Sequence, residues 1–327
     1  MVTSYPPMIA PAIAGYLRVP PTWVGDRPTD EELVSAKTAD LRRDQYTGVL
    51  ADGLRVRVRR DGVFIFDFSG WHPAGPTEVP AYDSEPGKQI PKEVTDAENL
   101  AEHRLVLRTQ IMNAHQACLS SSEYILHGRS TELGRPIHPY QTLRPVFFAD
   151  QEFGGFSLDN PTGSFIASQI ETVKNRELSR LRRRRFIEQD TLEHSFRHLE
   201  RILTNRVEGL AHLTALLYRA ATDFTDGRFA ETLILSWAVC ERLLNHLWDR
   251  YTKDQAKLAQ RERGVARSGG RDLTAWEMSK GLRSEGHLPD ELFRDLDKIR
   301  RVRNSWLHSL LPVSDRDAAK SVRVAEK

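Results

Sequence analysis

Hydrophobic and polar residues alternate in one short part of the chain, between residues 46 and 70. The segment YTGVLADGLRVRVRRDGVFIFDFSG has the period of two that places one face of a strand in a core. The dipeptides Asp52-Gly53 and Asp61-Gly62 interrupt the alternation and are typical of tight hairpin turns. The pattern therefore predicts three antiparallel strands. The middle strand has an apolar face and a basic face, formed by Leu54, Val56 and Val58 and by Arg55, Arg57 and Arg59 respectively.

The basic face of this strand has two interpretations. It can contact RNA or an acidic partner, or it can be the solvated outer face of the sheet.

Around this meander, the first 160 residues mix helices and loops. Thr29 and Glu32 have capping-box spacing, which predicts a short helix over residues 29–41. A helix of about 25 residues is predicted from residue 96 onwards by an apolar stripe. The stripe consists of Leu100, Leu107, Ile111 and Ala114, and the helix also carries His103 and His115, for which structural roles are predicted. An irregular arm over residues 1–30, a loop over residues 72–92, and loops with short strands over residues 128–164 complete this part.

A basic helical stretch follows, over about residues 165–204. It contains four consecutive arginines, namely Arg182, Arg183, Arg184 and Arg185. Consecutive residues wrap around a helix, so these side chains cannot all be buried. They either contact RNA phosphates or form a solvated surface balanced by nearby glutamates. His194 and His198 are four residues apart, as zinc ligands can be, so a structural zinc protein that uses this pair is a further alternative. The motif His-Glu-x-x-His is absent, and no metal ion or other cofactor is predicted.

The C-terminal third has the apolar period of a helical bundle. Four helices are predicted, over about residues 205–222, 228–262 and 272–283 and from Pro289 to Pro312. Proline at the start of the last helix, followed by Asp290 and Glu291 in its first turn, is typical of a helix N-terminus. The apolar stripes of the second and last helices consist of Leu233, Trp237, Cys240, Leu244 and Leu247, and of Leu292, Leu296, Ile299, Val302 and Trp306. The chain as a whole is thus predicted to be an α+β protein that is mainly α-helical.

Composition narrows the class of protein. The chain has 327 residues, of which 39% are hydrophobic and 28% charged, as in a soluble globular protein. A net charge of +2 is too small to indicate nucleic-acid binding by itself, so an RNA surface has to come from local clusters. No apolar run reaches the ~20 residues of a membrane helix. Cys118 and Cys240 lie in apolar helical contexts and are predicted to be buried thiols of a cytoplasmic protein.

Arg303, Asn304 and His308 form a polar group near the end of the last predicted helix. At about 100° per residue, Asn304 and His308 share one face, and Arg303 lies about 140° from His308. Histidine acts as a general acid or base near neutral pH, and arginine binds phosphate oxygens without losing its charge. Such a pair can promote RNA cleavage by the 2′-hydroxyl without a metal ion. Alternatively, Arg303 lies on the surface and a protonated His308 interacts with the helix dipole.

Three further residues are candidates for the same site. Arg300 and Arg301 make the last helix basic close to His308, which favours RNA binding. Glu241 lies among leucines in the middle of the second helix, where an unpaired carboxylate costs stability. We predict that Glu241 pairs with an arginine of the last helix, such as Arg303; the alternative is an exposed glutamate.

Residues 205–320 resemble the HEPN superfamily. The resemblance lies in the motif Arg-Asn-x3-His, which is Arg303, Asn304 and His308 here, and in Glu241 within Glu-x-Leu-Leu. The sequence departs from the family pattern after the histidine, where Ser309 and Leu310 stand in place of a frequent glycine. The resemblance implies a helical bundle, homodimerisation through the motif helices, and often an endoribonuclease that acts as a toxin or antiviral effector. Some members are inactive and only bind or dimerise.

Together these features predict three parts of the chain and two alternative functions. The parts are a mixed α/β sensor or regulatory domain over residues 1–160, a basic helical connector over 161–204, and a HEPN-like bundle over 205–327. The first function is a homodimeric, metal-independent endoribonuclease, with a protein or ligand trigger at the N-terminal domain. The second is an inactive dimerisation and nucleotide-binding module fused to a recognition domain.

Overall fold

The structure, a computed structural model, describes residues 12–16, 22–35, 40, 43–71, 92–128, 136–137, 144–148, 151–157, 185–205, 207, 209–263 and 274–327. The described residues confirm an α+β fold that is mainly α-helical. The chain divides into two compact units, residues 1–206 with 210–212, and residues 207–209 with 213–327.

The first unit contains the strands and three helices. Its strands are β1 (Ala12–Tyr16), β2 (Trp23–Val24), β3 (Asp44–Val49), β4 (Arg55–Arg59), β5 (Val63–Asp67), β6 (Arg144–Phe148), β7 (Gln151–Ser157) and β8 (Phe186–Ile187). Its helices are α1 (Asp30–Ser35), α2 (Lys92–His127) and α3 (Gln189–Leu203). The second unit contains most of α4 (Leu210–Thr225) and all of α5 (Phe229–Arg263), α6 (Ala275–Ser284), α7 (Asp290–Ser309) and α8 (Asp315–Glu326).

The predicted three-stranded meander is confirmed, and a fourth strand extends it. The strand order is β1-β5-β4-β3, with every neighbouring pair antiparallel. The prediction of an irregular arm over the first 30 residues is wrong for β1, which pairs along its whole length with β5. Strand β1 forms because β5 would otherwise be an edge strand, and the backbone N–H and C=O groups of β5 need hydrogen-bond partners.

The basic face of β4 is less basic than predicted. Arg55 is 60% exposed and forms an ion pair with Asp67 at 2.6 Å. Arg59, in contrast, is buried and forms a bidentate ion pair with Asp61 in the following turn. The alternation of apolar buried and basic exposed side chains along β4 ends at Arg59, because the Asp61 carboxylate stabilises the buried Arg59 guanidinium.

Helix α1 begins with the predicted capping box. The Thr29 backbone N–H donates to Glu32 Oε2 at 2.8 Å, and the Glu32 N–H donates to Thr29 Oγ1 at 3.2 Å. The Glu32 carboxylate also accepts two hydrogen bonds from the buried Arg60, at 3.0 and 3.2 Å. The hydrogen bond from Arg60 is the main cause that lowers the pKa of Glu32 to about 2. One carboxylate thus both caps a helix and neutralises a buried arginine.

Helix α2 packs against α3, which lies within the segment predicted as a connector. Three histidine–hydroxyl contacts join the two helices, and we call them the polar ladder: His115–Ser195 at 3.0 Å, His194–Ser122 at 2.9 Å and His127–Thr191 at 2.8 Å. The Ser195 hydroxyl donates to the Leu192 carbonyl, so it accepts from His115 Nε2–H. His115 is fully buried, and this burial lowers its pKa to about 3.

The buried face of α2 differs from the predicted stripe. Ile111 and Ala114 are buried as predicted, but Leu107 is 39% exposed, and the side chain of Leu100 lies outside the described residues. Arg108, Met112 and His115 occupy the buried face instead. His115 lies on this face because it contacts the Ser195 hydroxyl of α3, and Arg108 lies over the Phe68 ring, 5.3 Å from its centroid. The periodicity of α2 alone reveals neither partner.

In the second unit, α6, α7 and α8 each pack against α5. The buried core is apolar and comes from all of these helices, with Leu233, Trp237, Leu244, Met278, Leu282, Phe293, Leu296, Ile299 and Val324 among its members. Helix α6 approaches α5 closely at Gly281, where an added Cβ would overlap the Trp248 ring. Leu247, predicted in the core stripe of α5, is 41% exposed.

Helix α8 was not predicted from the sequence. The Ser314 hydroxyl caps it by accepting from the Asp317 N–H at 3.1 Å. Lys320 of α8 pairs with Asp295 of α7 at 2.5 Å, and Lys298 of α7 pairs with Asp317 at 3.4 Å. These ion pairs join α8 to the helix that carries the candidate site.

Two further predictions concern the cysteines and membrane-spanning helices. Cys118 and Cys240 are buried thiols, as predicted, and burial raises the pKa of each to about 12. In the part of the chain that the structure describes, none of the helices has a stretch apolar and long enough to traverse a bilayer.

Candidate functional site

The candidate site lies in the last two turns of α7. Pro289 precedes the helix, and Asp290 and Glu291 occupy its first turn, where carboxylates stabilise the N-terminal end of the dipole. The helix ends after Ser309, and Leu310 adopts the left-handed conformation (φ 52°) that closes it. Arg303 and Asn304 are therefore held in regular helix, and His308 lies in the terminal turn.

The structure joins two of the three motif residues. Arg303 Nη1 donates a hydrogen bond to Asn304 Oδ1 at 3.0 Å, and both side chains are half-buried. Arg303 Nε is buried without a hydrogen-bond partner among the described residues. A buried, unpaired N–H costs free energy, and a phosphate oxygen would satisfy it only after the Arg303 side chain moves.

His308 stands apart from that pair. It is exposed, and within the described ranges no hydrogen bond or ion pair links it to Arg303 or Asn304. Its exposure leaves the imidazole accessible to a ligand. The three residues thus share one end of the helix but do not form a closed hydrogen-bonded network within one chain.

Two other basic residues of α7, Arg300 and Arg301, interact with one acid. Asp297 accepts from Arg300 at 2.7 Å and also pairs with Arg301. Partial burial opposes ionisation of Asp297, but these two arginines outweigh it and hold the pKa of Asp297 below its usual value. Arg300 also lies over the Trp276 ring, 4.5 Å from its centroid, whereas Arg301 is 72% exposed. Arg301 is therefore the better placed of the two predicted RNA contacts.

Glu241 does not form the predicted ion pair in the single chain. It is half-buried on α5, and its backbone carbonyl accepts from Asn245 Nδ2 at 2.9 Å. No ion pair between Glu241 and Arg303 exists among the described residues, because the Arg303 guanidinium donates to its neighbour Asn304 instead.

The predicted arginine run of the connector lies mostly outside the described residues, which exclude Arg182, Arg183 and Arg184. Arg185 is exposed and precedes β8, and its backbone carbonyl accepts from the Trp23 N–H at 2.7 Å. This backbone contact belongs to the pairing of β2 with β8 and not to a helix.

The histidines with possible zinc spacing are packed side by side on α3. The rings of His194 and His198 lie 4.3 Å apart, and His194 Nδ1 contacts Ser122 of the polar ladder. Another histidine, His127, meets two carboxylates, Glu188 and Asp190. That group was missed in the sequence because its members come from different helix ends and have no recognisable spacing.

Three leucine side chains close to His308 in the sequence are exposed. Leu307, Leu310 and Leu311 are 43%, 77% and 56% exposed, and we call them the leucine patch. They surround His308 in sequence, at the end of α7.

Comparisons with known proteins add no relative: no family model, curated protein or solved structure matches the chain.

Proposed function

We propose that the second unit is a metal-independent endoribonuclease that works as a homodimer. The observation that carries the proposal is Arg303, whose half-buried guanidinium is held by Asn304 with its Nε–H unpartnered. The exposed His308 follows about one and a half helical turns later. A fixed cation beside a mobile acid–base group is what phosphodiester cleavage by a neighbouring hydroxyl requires.

The reaction needs three contributions. A base takes the proton of the 2′-hydroxyl, whose oxygen then bonds to the adjacent phosphorus. The P–O5′ bond breaks, and an acid returns a proton to the 5′-oxygen, which leaves a 2′,3′-cyclic phosphate. Neutral His308 can serve as the base and protonated His308 as the acid, while Arg303 stabilises the negative charge that builds on the phosphoryl oxygens.

A single chain offers one such histidine at the end of α7. A second copy, packed through the leucine patch, would supply the other histidine and a second arginine. Exposed leucines at the end of the motif helix support this arrangement, because a protein surface gains about 25 cal/mol for each Å² of apolar area that an interface removes from water. The positive charge of Arg301 supports RNA as the substrate.

The first unit would then regulate the nuclease, as a sensor for a protein or ligand trigger. This arrangement suits a cytoplasmic toxin or antiviral effector, whose cleavage has to stay silent until a signal arrives.

A second candidate function rests on a different observation. Arg300 and Arg301 share Asp297, and no bond joins His308 to the other motif residues in the described part of the chain. These features equally suit an inactive module that dimerises and binds a nucleotide through Arg303.

RNA cleavage in EDTA separates the two functions. The parent chain is compared with Arg303→Ala and His308→Ala, and with Arg294→Ala as a matched control, because Arg294 is an exposed arginine on the same helix. We expect cleavage products with 2′,3′-cyclic phosphate ends from the parent and from Arg294→Ala, and a loss of at least about 100-fold in the other two variants. Cleavage by His308→Ala at the rate of the parent would reject the nuclease. Nucleotide binding that requires Arg303, without cleavage, would establish the second function.

A further inference from the structure

A histidine and two carboxylates meet where α2 ends and α3 begins. His127 Nε2 lies 2.8 Å from Glu188 Oε2 and 3.7 Å from Asp190 Oδ1. The three candidate ligand atoms all lie within 4.8 Å of one another. His127 occupies the last turn of α2, Glu188 is the N-cap residue of α3, and Asp190 is in the first turn of α3. The Thr191 hydroxyl adds a third oxygen, 2.8 Å from the same imidazole nitrogen.

These distances match the coordination shell of a small divalent ion. With bonds of about 2.1 Å, such an ion spaces its ligand atoms by about 3 to 4 Å. The contacts from His127 already lie near that range. The Asp190 side chain is 62% exposed, so it can turn towards an ion without disturbing packed residues.

The same atoms have more lone pairs than protons. His127 Nε2 carries at most one hydrogen, yet two oxygen atoms lie 2.8 Å from it and a carboxylate oxygen lies at 3.7 Å. The Thr191 hydroxyl supplies a second proton, which it donates to Asp190 Oδ1 at 3.4 Å. A metal ion bound to the neutral imidazole would engage the nitrogen and both carboxylates together.

We propose that His127, Glu188 and Asp190 bind a divalent transition-metal ion, and that they bind Zn²⁺ more tightly than Mn²⁺ or Fe²⁺. One imidazole and two carboxylates form the mixed nitrogen and oxygen set that suits Zn²⁺, and the Irving–Williams order places Zn²⁺ above Mn²⁺ and Fe²⁺ at such a site. Water completes the coordination. The site lies in the first unit, so it is independent of the proposed nuclease residues.

The bound ion would fasten the end of α2 to the start of α3. Thr191 is 64 residues from His127 along the chain, and the ion would close that loop. An ion that binds only the folded state stabilises that state. A free Zn²⁺ concentration about 100 times the Kd would raise Tm by about 5 °C.

Zinc titration of the full-length chain tests the site. The metal-free protein competes for Zn²⁺ with a chromogenic chelator, and Tm is measured with and without the ion. Asp190→Asn and Glu188→Gln keep the size of each side chain, and the amide introduced by Asp190→Asn retains an oxygen for the hydrogen bond that Asp190 accepts from the Thr191 N–H at 2.6 Å. His198→Ala is the control, because His198 and His194 are the adjacent histidines that can bind zinc on their own.

We expect one Zn²⁺ per chain in the parent and in His198→Ala. Residues that only orient metal ligands contribute about 10- to 100-fold to affinity, so each ligand variant should lose at least that factor, together with the rise in Tm. Unchanged affinity in Asp190→Asn and Glu188→Gln would overturn the proposal, as would an absence of zinc binding by the parent. Loss of affinity in His198→Ala alone would assign the zinc to the pair of histidines on α3 instead.

Discussion

Arg303 Nη1 donates to Asn304 Oδ1 at 3.0 Å, so two consecutive residues of α7 hold each other's side chains in place. Neighbouring positions on a helix point about 100° apart, and the long arginine side chain has to bend to reach the amide. The bend fixes the guanidinium near the end of the helix. In the proposed nuclease, Asn304 would be a positioning residue for Arg303.

Removal of this hydrogen bond should affect catalysis more than stability. A hydrogen bond to a charged group is worth about 1.5–3 kcal/mol, so Asn304→Ala should lower kcat/KM for RNA cleavage by about 10- to 100-fold. Asn304→Asp keeps an acceptor for Arg303 and should restore part of the rate. Both variants should remain folded at the assay temperature, and Asn304→Ala should lower Tm by only several degrees. Equal rates for Asn304→Ala and the parent would show that Asn304 does not position the guanidinium.

The leucine patch should control the oligomeric state. In Leu310→Asp and Leu311→Asp, a charge replaces an apolar side chain that the proposed interface would bury, which costs several kcal/mol. We expect sedimentation to show a dimer for the parent, a monomer for the double variant, and RNA cleavage lost with the dimer. Val49→Asp is a suitable control, because Val49 is 67% exposed but lies on β3 in the first unit. A monomeric parent that cleaves RNA would contradict this prediction.

The stability of the first unit should fall as the solution becomes acidic. The folded-state pKa of His115 is about 3, below the unfolded value of 6.5, so the unfolded chain binds the proton first and the folded state loses stability as pH falls below 6.5. Between pH 6.5 and 4.5 this difference is worth about 2 kcal/mol. The loss is measured by urea unfolding at each pH, with hydrogen exchange of peptides from α2 as the probe of unfolding. His115→Gln can still donate to Ser195 but does not titrate, so its stability should depend less on pH over this interval.

Gly62 should not tolerate a side chain. It has φ +86° in the turn between β4 and β5, and an added Cβ would overlap the carbonyl oxygen of Thr22. Gly128, at the end of α2, also has a positive φ (+61°) but faces open space. Both alanine variants carry backbone strain, and only Gly62→Ala carries the clash. Gly62→Ala should therefore lower the free energy of unfolding by at least about 2 kcal/mol more than Gly128→Ala, measured by urea titration.

Local sequence signals predicted those elements that local chemistry determines. The Asp-Gly turns, the Thr29–Glu32 capping box and Pro289 at the start of α7 all appear in the structure. These features depend on backbone conformation and hydrogen bonds within a few residues, which a sequence displays directly.

The missed elements depend on distant partners. Strand β1 has the sequence AIAGY, without a clear alternation, and it becomes a strand because β5 offers an edge. Helix α8 buries mostly small residues, such as Ala318 and Ser321, which give a weak apolar period. Arg59 breaks the alternation of β4 because Asp61 makes its burial possible.

The two candidate sites also differ in whether their residues are close together in the sequence. Arg303, Asn304 and His308 lie on one helix, so their spacing was visible before the structure. The Arg303–Asn304 hydrogen bond was not predicted, since it depends on a side-chain rotamer. The group of His127, Glu188 and Asp190 exists only because α2 packs on α3, and no motif spacing marks it.

The polar ladder gives the α2–α3 pair a single alignment. Apolar helix faces can slide past each other by one turn at small cost, because one leucine substitutes for another. Histidines and hydroxyl groups cannot, since a shift would separate His115 from Ser195 and Ser122 from His194 and leave buried polar atoms unsatisfied. The polar ladder therefore fixes the register of α3 on α2, and a shift by one turn would cost the hydrogen bonds of His115 and His194 together.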